Sequence, residues 1–172
     1  MIDRGSVVSS GPRGTRTIPL AGFVTGPFQN VLEPDEVAVE AVIPAAQGAR
    51  SGGYLKLERR VGDFATVGVA VALETRGENV VRAGIALTGV GGSTIGVTEA
   101  AAALTGHPLT PESIEQAAEL AAQAARPRTD HRGSADYKRH MVRTFVTRIL
   151  NRVGGSTEEG SAGAGSSAER AA

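Results

Sequence analysis

The chain has 172 residues, enough for one compact domain with additional segments, and its 18 basic and 18 acidic side chains give a net charge of zero. This balance gives no electrostatic case for nucleic acid or an anionic membrane as the main partner. The absence of cysteine excludes disulfides, thiolate metal sites and a cysteine nucleophile. No apolar run is long enough to span a bilayer, and the first residues lack an apolar signal segment, so we expect a cytoplasmic protein.

The first part of the chain predicts irregular structure with one short hairpin, followed by a half-buried strand. The hairpin consists of SVVSS, a Gly-Pro-Arg-Gly turn and TRTI. The strand EVAVEAVI alternates, with its apolar side chains on one face and its glutamates on the other. The apolar positions are Val37, Val39, Ala41 and Ile43, and the glutamates are Glu36 and Glu40.

The next three segments predict an antiparallel meander. YLKLERR, from Tyr54, is a strand whose period of two places Leu55 and Leu57 inward and Lys56 on the opposite face. TVGVAVALE is apolar on both faces, which is typical of a central strand. RGEN, which begins at Arg76, forms the turn of a hairpin, and VVRAGIALTG is the return strand.

Three helices follow the meander. Thr98 is predicted to cap the first, with Gly106 just past its end, and Thr110 caps the second, with Pro111 as the first helical residue. Ser134 caps the third. The apolar stripe of the third helix consists of Tyr137, Met141, Phe145 and Ile149. Lys138 lies off this stripe. From residue 154 onward the sequence has no periodicity and predicts a disordered tail.

Two stretches have both a catalytic and a structural interpretation. TGVGGSTIG lies between strand and helix as phosphate loops do, but its spacing fits no phosphate fingerprint and no lysine follows, which favours a tight connection. RTDHRGSADYKRH brings together side chains that could serve acid–base chemistry: Asp130, His131, Asp136 and His140. Helix capping by Asp130 and a surface ion pair of Arg132 with Asp136 explain the same residues, and this structural interpretation is favoured. No histidine pair has the helical spacing of a zinc site, so no metal is predicted.

Two longer motifs carry a family resemblance. YLKLERRVGDFATVGVAVAL matches the pattern Y-x-K-x-x-R-R-x-x-D-F-A-x-V-G-V-A, and DHRGSADYKRHM matches D-x-R-G-S-A-x-Y-R-R-x-M, with Lys138 in place of an arginine. These patterns are similar to those of the C-terminal domain of the FAD-binding (medium) subunit of molybdenum hydroxylases, the aerobic carbon monoxide dehydrogenase and xanthine dehydrogenase family. The stretch from GPRGTRT to EAVIP also resembles the family's connection between the flavin domain and the C-terminal domain.

The resemblance implies an α+β fold, with a three-stranded antiparallel sheet, plus a leading strand, covered by three helices. It implies that residues 1–45 are a remnant of the flavin-binding domain and a connecting strand, residues 46–153 the C-terminal domain, and residues 154–172 a disordered tail. It further implies part of an electron-transfer subunit that passes electrons from iron–sulfur clusters through FAD to an acceptor. The implied partners are a large subunit with the molybdenum cofactor and a small subunit with [2Fe-2S] clusters.

The resemblance also assigns flavin contacts but no catalytic residue. Lys56 matches a lysine that contacts the flavin, Phe64 a residue resting against the isoalloxazine with Asp63 beside it, and Ala38 a leucine-like contact. The family's glycine-rich FAD motifs, A-G-G-x-S and T-I-G-G, have no counterpart here, since STIG follows the hairpin instead. We therefore expect a chain that lacks the N-terminal FAD-binding half and is inactive alone. The alternative is a non-catalytic module that docks on the molybdenum and iron–sulfur subunits without flavin.

Overall fold

Residues 5–45 and 48–162 are described by the structure, a computed structural model, with side chains as far as Gly154. The strands are β1 (Ser6–Gly11), β2 (Gly14–Pro19), β3 (Val24–Gly26), β4 (Gln29–Asn30), β5 (Val37–Val42), β6 (Ala49–Leu57), β7 (Val67–Arg76), β8 (Asn79–Thr88) and β9 (Ile95–Gly96). The helices are α1 (Thr98–Ala102), α2 (Pro111–Ala124) and α3 (Ala135–Ala162). The sheets have the orders β2-β1-β5, β3-β4 and β6-β7-β8-β9. The predicted α+β arrangement of a meander, a leading strand and three helices is confirmed.

The meander is built around β7, which lies between β6 and β8 and is antiparallel to both. Val67, Val69, Val71 and Leu73 alternate along β7 and are buried in the core, as expected for a central strand. The turn to β8 passes through Gly77, whose φ of 60° suits a two-residue hairpin. The prediction of this hairpin is confirmed.

The three helices cover one face of this sheet: α3 packs on β6 and β7, α1 on β8, and α2 on α1 and α3. The Thr110 hydroxyl accepts from the Ser113 N–H at the start of α2, and Pro111 is the first helical residue, as predicted. α2 buries Ala117 and Ala121, whose small side chains let α3 approach closely.

β6 begins earlier than predicted, because ARSGG forms its first half rather than a loop. A Cβ at Gly52 would lie 2.5 Å from the Val71 carbonyl oxygen, and one at Gly53 would lie 3.0 Å from the Ile149 side chain. These glycines therefore permit the close approach of β7 and α3.

Two helix boundaries also differ from the prediction. Thr98 is the first residue of α1 rather than its cap; Val97, which has no side-chain acceptor, occupies the cap position. α3 continues to Ala162, so residues 154–162 of the predicted tail are helical, because extending a formed helix costs far less than starting one. Residues 163–172 lie outside the described residues, and so do residues 46 and 47, where the predicted first domain boundary falls.

Lys138 was predicted to lie off the apolar stripe of α3, but only 3% of its surface is exposed. Its ammonium donates to the Arg128 carbonyl at 2.8 Å and lies 2.8 Å from the Asp130 carboxylate. A buried ammonium requires such partners, and both come from the connection between α2 and α3. Helical periodicity places a residue on a face but does not say which loop covers that face. Ser134 does cap α3, since its hydroxyl accepts from the Tyr137 N–H.

The leading strand, β5, pairs with β1 instead of joining the meander. Every residue of β5 is exposed, so the prediction of a half-buried strand is wrong. The register shifts between Val8 and Ser9 of β1, which interrupts the simple alternation of faces, and α1 and α3 pack on the β6-β7-β8-β9 sheet instead. Arg16 of β2 bonds both carboxylate oxygens of Glu36 and lowers the pKa of Glu36 to about 2, which fixes the entrance to β5.

Replacing Val69 by aspartate should unfold the domain, because it places an unpaired charge at the centre of the buried face of β7. We expect Val69→Asp to lower the free energy of unfolding by about 4 kcal/mol or more. Val81→Asp on β8 is the matched control, since Val81 is exposed, and should cost less than about 1 kcal/mol. Urea unfolding followed by circular dichroism measures both, and similar losses would contradict the described core.

Asp130 should make stability depend on pH. The Lys138 ammonium, and next the Arg132 backbone N–H, lower the pKa of Asp130 below its ordinary value. A carboxyl with a lowered pKa in the folded state adds stability above its unfolded pKa of about 4 and loses it as the pH falls further. Asp130→Asn should therefore lower the thermal midpoint at about pH 7, and its difference from the wild type should shrink below about pH 4.

Thermal unfolding between about pH 7 and about pH 2.5 measures this difference. Asp136→Asn is the control, because Asp136 also lies at the start of α3 but is exposed and pairs with Arg139 rather than with Lys138. A difference that stays constant across this range for Asp130→Asn would contradict the role given to its carboxylate.

Candidate functional site

Three of the four predicted flavin contacts lie on β6 and on the loop after it, residues 58–66, here called the 58–66 loop. Lys56 is paired with Gly68 of β7, which is paired in turn with Thr88 of β8. Leu55 and Leu57 of β6 pack on the core, so Lys56 lies on the face of the sheet away from the helices. The Lys56 ammonium is 2.5 Å from the Glu58 carboxylate, which holds it at the end of β6.

The 58–66 loop has a fixed internal geometry. The Thr66 N–H donates to the Leu57 carbonyl at 2.8 Å and closes the loop, and the Asp63 N–H donates to the Arg60 carbonyl at 3.0 Å. Gly62 between them has a φ of 86°, a conformation in which a side chain would be strained. The Asp63 carboxylate accepts from the Phe64 N–H at 2.7 Å. Residues 59–63 line an open cleft of about 420 Å³.

Phe64 is the aromatic side chain presented by this loop, with 68% of its surface exposed, and Val61 of the same loop is also exposed. Its ring meets the ring of Phe28 edge to face, with centroids 6.1 Å apart and planes at 84°. Phe28 is itself 94% exposed and has a φ of 57°, in the left-handed region that residues with a side chain rarely adopt. The hairpin of β3 and β4 thus extends a strained aromatic residue toward the 58–66 loop.

Arg132 joins this loop to the connection before α3. Its guanidinium donates to the Phe64 carbonyl at 3.0 Å and lies 3.4 Å from the Asp63 carboxylate. The predicted surface pair of Arg132 with Asp136 is therefore wrong, and Asp136 instead pairs with Arg139 at 3.1 Å. Sequence spacing favoured the near neighbour, but the partner of Arg132 is 69 residues away along the chain.

Ala38, the fourth predicted contact, lies on a different sheet from the other three. It is exposed on β5 and paired with Ser9 of β1, at the point where the register shifts. Lys56, Asp63 and Phe64 thus form one group, and Ala38 is placed separately from them.

The stretches with a catalytic interpretation have structural roles. The carboxylate of Asp130 is engaged by Lys138 and by the Arg132 N–H, which agrees with the favoured structural interpretation. Ile95 and Gly96 of the glycine-rich stretch form β9 and pair with β8, as a strand-to-helix connection would.

Across residues 5–45 and 48–162, no group of three His, Cys, Asp or Glu side chains is arranged to hold a metal ion. In that same part of the chain, no helix is long and apolar enough to cross a membrane.

Sequence reasoning missed three residues that shape this group: Phe28, Arg132 and Lys138. The Gly-Pro before Phe28 is a turn signal, but a turn signal does not show that the next ring faces another loop. Arg132 and Lys138 were quoted within a motif, yet their partners lie on segments that no local pattern connects to them.

Comparison with known proteins agrees with this fold. The family model for the CO dehydrogenase flavoprotein C-terminal domain matches residues 53–153. The carbon monoxide dehydrogenase medium chain of Hydrogenophaga pseudoflava is 39% identical over 84% of this chain and 50% of its own length. The xanthine dehydrogenase FAD-binding subunit of Escherichia coli O157:H7 is 26% identical over 81% of this chain and 49% of its own length.

A solved structure of carbon monoxide dehydrogenase from Hydrogenophaga pseudoflava, which lacks the Mo-pyranopterin moiety of the molybdenum cofactor, superposes with a TM-score of 0.83 at 38% identity. The superposition covers 91% of this chain and 54% of that one, so the chain spans about half the length of the relatives it matches. The matched residues include β6 from Gly53 onward, β7, β8, β9 and the three helices as far as Val153. The chain belongs to the CO dehydrogenase flavoprotein C-terminal domain family.

Proposed function

We propose that this chain is part of the FAD-containing electron-transfer subunit of a cytoplasmic molybdenum hydroxylase of the carbon monoxide or xanthine dehydrogenase type. The observation that carries the proposal is the exposure of Phe64 on an anchored loop beside Lys56. A solvated loop gains nothing from an exposed phenylalanine, whereas a planar cofactor ring covering it removes apolar surface from water. The names of the relatives, a carbon monoxide dehydrogenase medium chain and a xanthine dehydrogenase FAD-binding subunit, support the same proposal.

The residues present fit the ring of a flavin. Phe64 offers an apolar surface, and Phe28 meets its ring from the side, so the two exposed rings form one aromatic surface that a flavin ring could cover. Lys56 supplies a positive charge on the helix-free face of the sheet, and a cation near a flavin favours its anionic reduced form. Asp63 holds the Phe64 backbone through its carboxylate. FAD bound there would supply the electron transfer from iron–sulfur clusters to an acceptor.

The remaining parts of a dinucleotide site are not assigned to this chain. Pyrophosphate groups are held by backbone N–H groups of glycine-rich loops, and A-G-G-x-S and T-I-G-G do not occur in the sequence. Ala38, on the β5 sheet, is proposed as the fourth contact. The proposal therefore gives this chain one wall of the site. The partners are a large subunit with the molybdenum cofactor and a small subunit with [2Fe-2S] clusters.

The proposal is tested by isolating a tagged copy of the chain, with everything bound to it, from the cell that encodes it. FAD released by acid, together with iron and molybdenum measured by mass spectrometry, identifies the assembly. We expect all three to copurify, with about one FAD per chain. Iron and molybdenum without FAD would favour the alternative of a docking module that holds no flavin. The absence of all three would contradict both.

Phe64→Ala should weaken flavin retention in that assembly. Loss of an aromatic contact of about 1–1.5 kcal/mol corresponds to about tenfold weaker binding. The thermal midpoint of the chain should change little, because Phe64 is mostly exposed. Flavin content after dialysis measures the effect. Val81→Ala, at an exposed position on β8, is the control and should leave flavin content unchanged.

Lys56→Ala should shift the flavin potential to more negative values, because it removes a cation that favours the anionic reduced form. A shift on the order of 30 mV corresponds to about 1.4 kcal/mol for a two-electron couple. Redox titration of the isolated assembly measures it. Arg76→Ala, which removes an exposed cation at the opposite end of β7, should leave the potential unchanged. Equal shifts for the two variants would contradict a contact between Lys56 and the flavin.

A further inference from the structure

We propose that Arg132 is a positioning residue that locks the 58–66 loop, and that the connection before α3 serves to present it. This inference rests on the proposed function where it concerns flavin, and on the described contacts where it concerns the loop. The two segments are distant in sequence, so neither motif alone indicates that they act together. Arg132 carries no role in the contacts that the family resemblance implied.

The connection is built as a tight hairpin around Arg132. Asp130 and Gly133 exchange both backbone hydrogen bonds, each at 3.1 Å, and the Asp130 carboxylate accepts from the Arg132 N–H at 2.8 Å. Gly133 has a φ of 144°, and a Cβ there would lie 2.9 Å from the ring of Tyr137. The Thr129 hydroxyl accepts from the Ala135 N–H at 3.0 Å. These bonds fix the backbone on both sides of Arg132.

Lys138 fastens this hairpin to the domain core. Its ammonium is buried and engages both the Arg128 carbonyl and the Asp130 carboxylate. Moving the hairpin away would leave the buried Lys138 ammonium without its Asp130 partner, and an unpaired buried charge raises the free energy of the chain. α3 therefore holds Arg132 at a constant place relative to β6 and β7, on which the same helix packs.

From this place the Arg132 guanidinium engages the loop at two points, the Phe64 carbonyl and the Asp63 carboxylate. The first contact fixes the backbone of the residue proposed to face the flavin. The second contact sets a positive charge against the carboxylate that itself holds the Phe64 N–H. Both contacts are lost if the loop opens, and hydrogen bonds from a charged donor are among the stronger ones. Arg132 therefore favours the closed loop.

Trypsin measures loop opening directly, because Arg59 and Arg60 are exposed cleavage sites inside the loop. The cleavage rate of an anchored segment follows the population of its open form. In the complete chain, Arg132→Gln should raise the cleavage rate after these arginines about fivefold, which corresponds to about 1 kcal/mol. Arg132→Lys keeps the charge but cannot make both contacts, so its increase should be smaller.

Arg139→Gln is the matched control, since Arg139 is a surface arginine of α3 that pairs with Asp136 and not with the loop. Its cleavage rate should equal that of the wild type. Asp63→Asn retains an oxygen that accepts from Phe64 and should raise cleavage alone, but add little in the Arg132→Gln background, because the pair is already broken. Thermal midpoints recorded in parallel should fall by no more than about 3 °C for Arg132→Gln.

The effect on flavin is measured as the rate of FAD release from the assembly isolated with a tagged chain. We expect Arg132→Gln to release FAD faster than Arg139→Gln does. Unchanged cleavage in Arg132→Gln overturns the inference, whatever Phe64→Ala does to flavin content. A second outcome is that Arg132→Gln raises cleavage but retains flavin normally, while Phe64→Ala retains flavin poorly. That outcome overturns the link between the loop and the flavin. Normal retention in both variants overturns the proposed contact between Phe64 and the flavin, while the loop contacts stand. The absence of FAD, iron and molybdenum from the wild-type assembly is the separate result that overturns the proposed function.

Discussion

The burial of β7 is the constraint on which the rest of the structure depends. Its four inward side chains fill the space under α3, and its two edges fix the register of β6 and β8. A shift of one residue would turn valines outward and glycine and alanine inward, which would empty the core. Because the register is fixed, Lys56 lies opposite Gly68 and the 58–66 loop begins at a set place. The position of the candidate site is thus a consequence of core packing.

Two charged side chains, Lys138 and Arg132, hold surface segments in fixed positions relative to the core. The buried Lys138 forms an ion pair with Asp130 in the connection before α3, and Arg132 forms an ion pair with Asp63 in the 58–66 loop. Each ion pair joins segments that share no sheet or helix. Such pairs add less to overall stability than the apolar core, because desolvation offsets much of their attraction. Their contribution is to select one arrangement of two loops that the core alone would leave free.

The elements with a strong local signal could be predicted from the sequence. An apolar run on both faces identified β7, a Gly-containing turn identified the hairpin to β8, and the Thr110 cap fixed the start of α2, because each depends on neighbours in the chain. The exposure of β5 and the burial of Lys138 depend on which distant segment covers them, so periodicity could not decide them. The resemblance named Lys56, Asp63 and Phe64, which lie on β6 and the loop after it, and their contact with a flavin stays a prediction. It could not supply Phe28 or Arg132, whose contacts cross between segments.

The left-handed conformation of Phe28 has an evolutionary consequence. A side chain in that region costs on the order of 1 kcal/mol relative to glycine, and a nearly fully exposed ring recovers little of it by burial. Selection for thermal stability alone would therefore replace Phe28 by glycine or asparagine, and consensus design guided only by stability would do the same. Such a protein would be harder to melt and would have lost the ring that meets Phe64. At position 28, the residue that gives the most stable fold therefore differs from the residue that completes the aromatic surface.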